Sequence, residues 1–105
     1  MVHAENNDVI NWLSERLLTR GYVAPKYHAV SHNPIAESEA SRRAIDLARL
    51  ADAKMLIVHV STPEAAQAIL NARNQGLPIY GEACPQYLFL TAEDLDRDGM
   101  EGAKF

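Results

Sequence analysis

The sequence contains little cysteine, no long hydrophobic run and no excess of basic charge. Its single cysteine, Cys84, has no partner for an internal disulfide, which is typical of a chain that folds in a reducing cytoplasm. Apolar runs such as MLIV are far shorter than the ~20 residues that a membrane helix needs. The N-terminus shows no basic region followed by an apolar stretch, so no signal peptide is predicted. We therefore predict a cytoplasmic protein without a membrane partner.

The charge balance excludes a second class of function. Ten Lys and Arg residues against fourteen Asp and Glu residues give a net charge of −4, which provides no basic surface for nucleic acid. Hydrophobic residues make up 48% of the chain, enough for a packed core and too many for a disordered segment. The sequence is that of a soluble globular protein, and its 105 residues correspond to one domain or less.

Apolar runs alternate with segments of helical periodicity. Three runs predict strands: residues 1–4, KMLIVHVS (54–61) and LPIYGEA (77–83). Helices are predicted after residue 6, from about Ile35 to Ala51, and from Pro63, capped by Thr62, to a stop at Gly76. Such alternation requires right-handed crossovers and a parallel sheet with helices on its outer side.

The helical patterns also predict which side chains face the core. Trp12 lies at helical spacing with neighbouring apolar residues, so we expect it in the core. On the helix from Ile35 to Ala51 we expect Leu47 and four alanines to face inward. Three charged residues of that helix are predicted to face solvent, namely Glu37, Arg43 and Asp46.

Three strands do not complete any common α/β fold. A (β/α)8 barrel takes ~250 residues, and a doubly wound domain rarely has fewer than five strands. No linker, internal repeat or low-complexity stretch divides the chain. We therefore predict that residues 1–105 form an incomplete part of one larger domain, with no second domain.

Two histidines occupy equivalent places in this pattern. His3 and His59 each follow valine at the carboxyl end of a predicted strand, where polar residues begin. Loops that follow parallel strands emerge at one edge of the sheet, and adjacent strands lie about 4.8 Å apart. Two imidazoles on adjacent strands can therefore reach one metal ion or a pair of ions. Spacing alone does not distinguish this from two core histidines bonded to backbone carbonyls.

Other residues add little to the candidate site. Catalytic zinc normally has three protein ligands and a water molecule, so two histidines are too few. Glu5 and Glu82 are candidates for the same edge, although either can instead bond to backbone or to an arginine. We expect Cys84 to be a small packed residue, and no phosphate-binding loop, GxSxG or HExxH motif is present. The remaining histidines, His28 and His32, lie in a predicted loop.

Five blocks of sequence resemble a known family. In order and spacing they are similar to the middle of the hydantoinase and dihydropyrimidinase family of the amidohydrolase superfamily, and together they cover essentially the whole chain. This resemblance implies a (β/α)8 TIM barrel, of which the chain supplies strands five, six and seven with the outer helices. The blocks are MVHAENNDVINWL, APKYH, ESEASRRAIDLA, LIVHVS and PIYGEACPQYLFLT.

The same resemblance implies a chemistry. In the family, the histidines of the VHAEN and VHVS blocks are ligands of a binuclear, usually zinc (Zn2+), site, and they match His3 and His59 here. The family reaction is hydrolysis of the cyclic amide C–N bond of hydantoins or dihydropyrimidines by a metal-bridging hydroxide. The full-length parent is expected to be a homo-oligomer, a dimer or tetramer. The family's HxH pair, carboxylated lysine and general-base aspartate have no match in this sequence, so we expect the isolated chain to be inactive.

Two alternatives remain open. One is a non-catalytic, dihydropyrimidinase-like interaction protein or pseudo-enzyme, although the related collapsin-response mediator proteins do not keep the VHVS block that is present here. The other is an allantoinase-type hydrolase. A dihydroorotase is disfavoured, because that family usually has TPHH where this chain has CPQY.

Overall fold

The computed structural model describes residues Met1–Lys104. They separate into two compact units, one formed by Met1–Asn6 and Pro34–Cys84, the other by Asn7–Asn33 and the described residues from Pro85 onward. Within residues 1–104, no helix combines the length and apolar character that crossing a membrane requires. The elements in chain order are α1 Asn7–Leu18, α2 Tyr27–Ser31, α3 Pro34–Leu50, β1 Met55–Ile57, α4 Pro63–Asn74 and β2 Ile79–Gly81, then three 3₁₀ helices, Pro85–Leu88, Ala92–Asp96 and Glu101–Lys104.

The first unit is built on three parallel backbone segments. Strand β1 pairs in parallel with β2 along its whole length. On its other side β1 forms a parallel bridge with Val2, whose N–H donates to the Leu56 carbonyl at 2.9 Å and whose carbonyl accepts from Val58 N–H at 3.1 Å. The predicted parallel α/β arrangement is confirmed at the level of this two-stranded sheet with helices, and the first predicted strand is reduced to a single bridge.

Helices α3 and α4 cover the sheet and enclose the core of this unit. Ile57 of β1 and Ile79 of β2 are fully enclosed, at 0% and 1% exposure. Small residues on the helices allow close approach to the sheet, which is why alanine dominates the buried helix positions. The other buried members of the cluster around these two residues are Ala4, Ala40, Ile45, Ala48, Ile69 and Ala72.

Helix α4 begins and ends where the sequence predicts. The Thr62 hydroxyl accepts a hydrogen bond from Ala65 N–H at 3.3 Å, and Pro63 occupies the first helical position. Gly76 follows the helix with φ +81°, a left-handed conformation that glycine adopts without steric cost. These local signals fix the start of α4 directly after the loop that carries His59.

The outward-facing prediction for Glu37 is wrong. Its side chain is buried, with 6% exposure, whereas the predicted core residue Leu47 is 59% exposed. The physical reason is hydrogen bonding: Glu37 accepts from backbone and hydroxyl donors of Ser61 and Thr62, and a buried carboxylate is tolerated when such donors surround it. Ile45, which the periodicity did not single out, takes a core position instead.

The second unit leaves its main helix largely uncovered. No residue of α1 is buried, and Trp12 is 56% exposed, so the prediction of a core tryptophan is wrong in this structure. Helix α1 packs against α2, which has five residues and is too short to cover the apolar stripe. The segment 23–34, predicted to be a loop, contains α2. Its two prolines and two histidines leave no helical periodicity that would predict this short helix.

We expect the core to depend most strongly on Ile57. Replacing Ile57 by alanine should lower the free energy of unfolding by about 2–5 kcal/mol, because a fully enclosed side chain leaves a cavity. Urea unfolding followed by circular dichroism measures the change. The matched control, Leu47→Ala on the exposed face of α3, should change the free energy by less than about 0.5 kcal/mol, and equal effects of the two variants would contradict the assigned core.

Candidate metal centre

The parallel bridge brings His3 and His59 to one edge of the first unit. His3 directly follows the bridged residue Val2, and His59 lies two residues beyond the end of β1 at Ile57. The hydrogen bond from Val58 N–H to the Val2 carbonyl is one of the two that form this bridge, and His59 directly follows it. Because the paired segments run in the same direction, the residues that follow them emerge together.

The two imidazole rings are in direct contact. The His3 Nδ1 atom lies 2.7 Å from the His59 Nε2 atom, the ring centroids are 4.8 Å apart, and the planes are inclined by 42°. At this distance one nitrogen supplies a proton and the other a lone pair, since two facing lone pairs would repel. The interpretation of these residues as unrelated core histidines bonded to backbone does not match this geometry.

Two converging imidazole nitrogens fit a zinc ion as part of its ligand set. Zinc binds histidine nitrogen at about 2.0–2.1 Å with tetrahedral geometry, which separates two ligand nitrogens by roughly 3.3 Å. The observed contact of 2.7 Å is shorter than this separation by about 0.6 Å, and the side chain of His3 is exposed. The donor set therefore suits a borderline metal such as zinc.

The remaining candidates do not complete the ligand set. Within residues 1–104, no group of three His, Cys, Asp or Glu side chains is arranged to hold a metal ion. The backbone of Glu82 pairs with the segment that carries His59. Its N–H donates to the Ile57 carbonyl at 2.9 Å, and its carbonyl accepts from Val60 N–H at 2.8 Å. Cys84 is a partly buried free thiol, and Glu5 is partly buried outside any such group. His28 and His32 lie in the second unit and stack on each other, with their ring centroids 3.9 Å apart.

The backbone of His59 is strained. Its φ angle is +45°, in the left-handed region that non-glycine residues seldom occupy, and such a conformation costs about 1–3 kcal/mol. A conformation of this kind persists only where the surrounding structure holds it. No sequence pattern signals it, because the VHVS block is typical of an ordinary strand.

Glu37 is a further residue near the site that the sequence analysis missed. Its Oε1 atom accepts from the backbone N–H groups of Ser61 and Thr62 at 2.8 and 3.2 Å, and its Oε2 atom accepts from the Ser61 hydroxyl. The signal that could have revealed it is the start of α4, because the first N–H groups of a helix need acceptors from outside that helix. Glu37 therefore holds the segment that directly follows His59.

Comparison with known proteins gives consistent matches. The D-hydantoinase of Geobacillus stearothermophilus is 47% identical to all 105 residues of this chain. A crystal structure of dihydropyrimidinase from Brevibacillus agri NCHU1002 superposes with a TM-score of 0.96, at 48% identity over 99% of the chain. An allantoinase from Solibacter usitatus is 41% identical over 98 residues. A scan against protein-family models found no match.

This chain is similar, from end to end, to one segment of hydantoinases and dihydropyrimidinases. The resemblance that the five sequence blocks indicated is thereby confirmed. The hydantoinase-like chain spans about 22% of the length of the curated D-hydantoinases that it matches and 23% of the Brevibacillus dihydropyrimidinase structure.

The strained backbone of the hydantoinase-like segment gives a prediction about substitutions at His59. Asparagine tolerates positive φ and β-branched valine does not, so the His59→Asn variant should be at least about 1 kcal/mol more stable to unfolding than His59→Val. The same pair of substitutions at His3, whose φ is not positive, should show no such preference for asparagine. Urea unfolding curves measure the free energy of unfolding of all four variants. An equal preference for asparagine over valine at both positions would contradict the strain at His59.

Proposed function

We propose that the chain is part of a metal-dependent cyclic amidohydrolase of the D-hydantoinase and dihydropyrimidinase type, with His3 and His59 as ligands of a binuclear zinc site. The observation that carries this proposal is the 2.7 Å contact between His3 Nδ1 and His59 Nε2 at the ends of adjacent parallel segments. The identity of 47% to a D-hydantoinase supports the reaction class, a hydrolysis of the cyclic amide C–N bond.

In this proposal the chain supplies barrel strands five, six and seven with their outer helices. Its three parallel segments, centred on β1, and the helices α3 and α4 that cover one another and the sheet suit that role. We also propose a cytoplasmic location and, for the longer protein, a dimeric or tetrameric assembly.

In this reaction His3 and His59 would hold the metal as two of its ligands. A bound zinc ion lowers the pKa of water and polarises the carbonyl oxygen of the ring. His3 offers Nδ1 and His59 offers Nε2, and the parallel pairing of their strands presents both atoms to one point. Three family elements have no match in this sequence, the HxH pair, the carboxylated lysine and the general-base aspartate, so the remaining ligands and the base must come from outside it.

An allantoinase is the second candidate, since the Solibacter enzyme is 41% identical over 98 residues. Assays of the longer protein on hydantoin, dihydrouracil and allantoin separate the two, because each enzyme class opens its own ring. A non-catalytic interaction protein is the third reading, and a metal-free protein that opens none of these rings would support it.

Zinc binding tests the proposed ligands directly. Isothermal titration of the chain with Zn2+ should show binding that the double variant His3→Asn, His59→Asn weakens at least ~10-fold, because both nitrogen donors are lost. The matched control removes the other histidine pair, His28→Asn with His32→Asn, and should retain affinity within about 3-fold. Unchanged affinity in the first double variant, or equal loss in both, would refute the assignment.

We expect no catalytic turnover from these 105 residues alone. With added Zn2+ the chain should open neither hydantoin nor dihydrouracil, because two imidazoles provide too few ligands and the family's general-base aspartate has no match in this sequence. Ring opening is followed by the loss of ultraviolet absorbance of the cyclic amide. Turnover that a chelator abolishes would show that the chain is catalytically sufficient and contradict this expectation.

A further inference from the structure

We propose that Glu37 is a positioning residue for the metal ligand His59. Its carboxylate fixes the backbone at residues 61 and 62, and that backbone holds His59 in the conformation from which Nε2 meets His3. This inference rests on the proposed metal site at His3 and His59.

The contacts of Glu37 are directed at one short segment. Oε1 accepts from the backbone N–H groups of both Ser61 and Thr62, and Oε2 accepts from the Ser61 hydroxyl, so a single carboxylate binds three donors within three residues of His59. The Glu37 side chain is buried at 6% exposure. Burial of a carboxylate is unfavourable unless donors such as these replace water, which makes the contact specific to this arrangement.

The start of α4 provides a suitable environment for this anion. Thr62 is the N-cap and Pro63 the first residue of α4, so the N–H groups bound by Glu37 precede the positive end of the helix dipole. Two acceptors therefore stabilise the same turn. The Thr62 hydroxyl accepts from Ala65 N–H inside α4, and the Glu37 carboxylate, which belongs to α3, accepts from the N–H groups of Ser61 and Thr62.

The strain at His59 explains why hydrogen bonds that hold the following backbone are needed; we call the three bonds to Glu37 the Glu37 clamp. With φ at +45°, the residue does not hold this conformation by its own preference. On the strand side, Val60 N–H donates to the Glu82 carbonyl at 2.8 Å. On the helix side, Glu37 binds Ser61, so the backbone is held at both residues that follow His59.

The first turns of α3 also hold the segment that follows His3. Asn6 N–H donates to the Ala36 carbonyl at 3.0 Å, and the Asn6 side-chain amide donates to Glu39 Oε2 at 2.7 Å. Helix α3 thus contacts the backbone beyond both imidazoles through residues 36 to 39. One rigid element bound to both segments keeps the distance between the two rings fixed.

Two conservative variants test separately the length of the Glu37 side chain and its charge. In Glu37→Gln the amide oxygen can accept both backbone N–H groups while the amide nitrogen donates to the Ser61 hydroxyl, so every contact has a counterpart without the charge. In Glu37→Asp the charge remains but the side chain is one methylene shorter. A positioning role predicts that Gln preserves the site and Asp does not, whereas a purely electrostatic role predicts the reverse.

The experiment measures Zn2+ affinity by isothermal titration and hydrogen exchange of the Ser61 and Thr62 amides by NMR. We expect Glu37→Asp to weaken Zn2+ binding by about 10–100-fold and to accelerate exchange of both amides, as loss of an orienting contact behind a ligand does. Glu37→Gln should bind within about 3-fold of the original chain. Glu64→Gln, which removes a charge from the first turn of α4 at an exposed position, is the control and should change neither quantity.

Each outcome bears on a separate claim. If the original chain binds no Zn2+, the proposed function fails, while slow exchange of the Ser61 and Thr62 amides and its loss in Glu37→Asp would still support the clamp. If the original chain binds Zn2+ and Glu37→Asp binds equally well, or Glu37→Gln loses affinity while Glu37→Asp keeps it, the positioning role is overturned. Unprotected Ser61 and Thr62 amides in the original chain overturn it without any variant.

Discussion

The pairing of Val2 with strand β1 is the constraint on which the candidate site depends. Its two backbone hydrogen bonds, 2.9 and 3.1 Å long, fix the direction and register of two segments separated by more than fifty residues in sequence. A shift of the register by one residue would turn one imidazole to the opposite face of the sheet. The contact between His3 and His59 is therefore a consequence of backbone pairing, and the side chains alone do not create it.

Helix α3 connects the fold to the proposed chemistry. Its alanines pack on the sheet, while its first turns bind the segments beyond both histidines through Ala36, Glu37 and Glu39. The same element thus contributes to the core and to the rigidity of the site. This arrangement is common in α/β enzymes, where ligands lie at strand ends and are supported by the helices that follow.

Much of this architecture could be predicted from local sequence signals. The start of α4 at Thr62 and Pro63, its end before Gly76 and the parallel order of three segments all follow from capping and apolar patterns. The orientation of Glu37 could not, because helical periodicity counts a charged residue as solvent-facing and takes no account of distant amides that need an acceptor. The positive φ of His59 could not be predicted either, because the residue ends an apolar run that is typical of an ordinary strand.

The central claim is that one metal ion binds Nδ1 of His3 and Nε2 of His59. Nitrogen-15 labelling of the histidines and loading with cadmium-113 test it through one-bond couplings between metal and nitrogen in the NMR spectrum. We expect couplings from one cadmium resonance to those two nitrogens. Coupling to the opposite nitrogen of either ring, or to His28 or His32 in place of this pair, would contradict it.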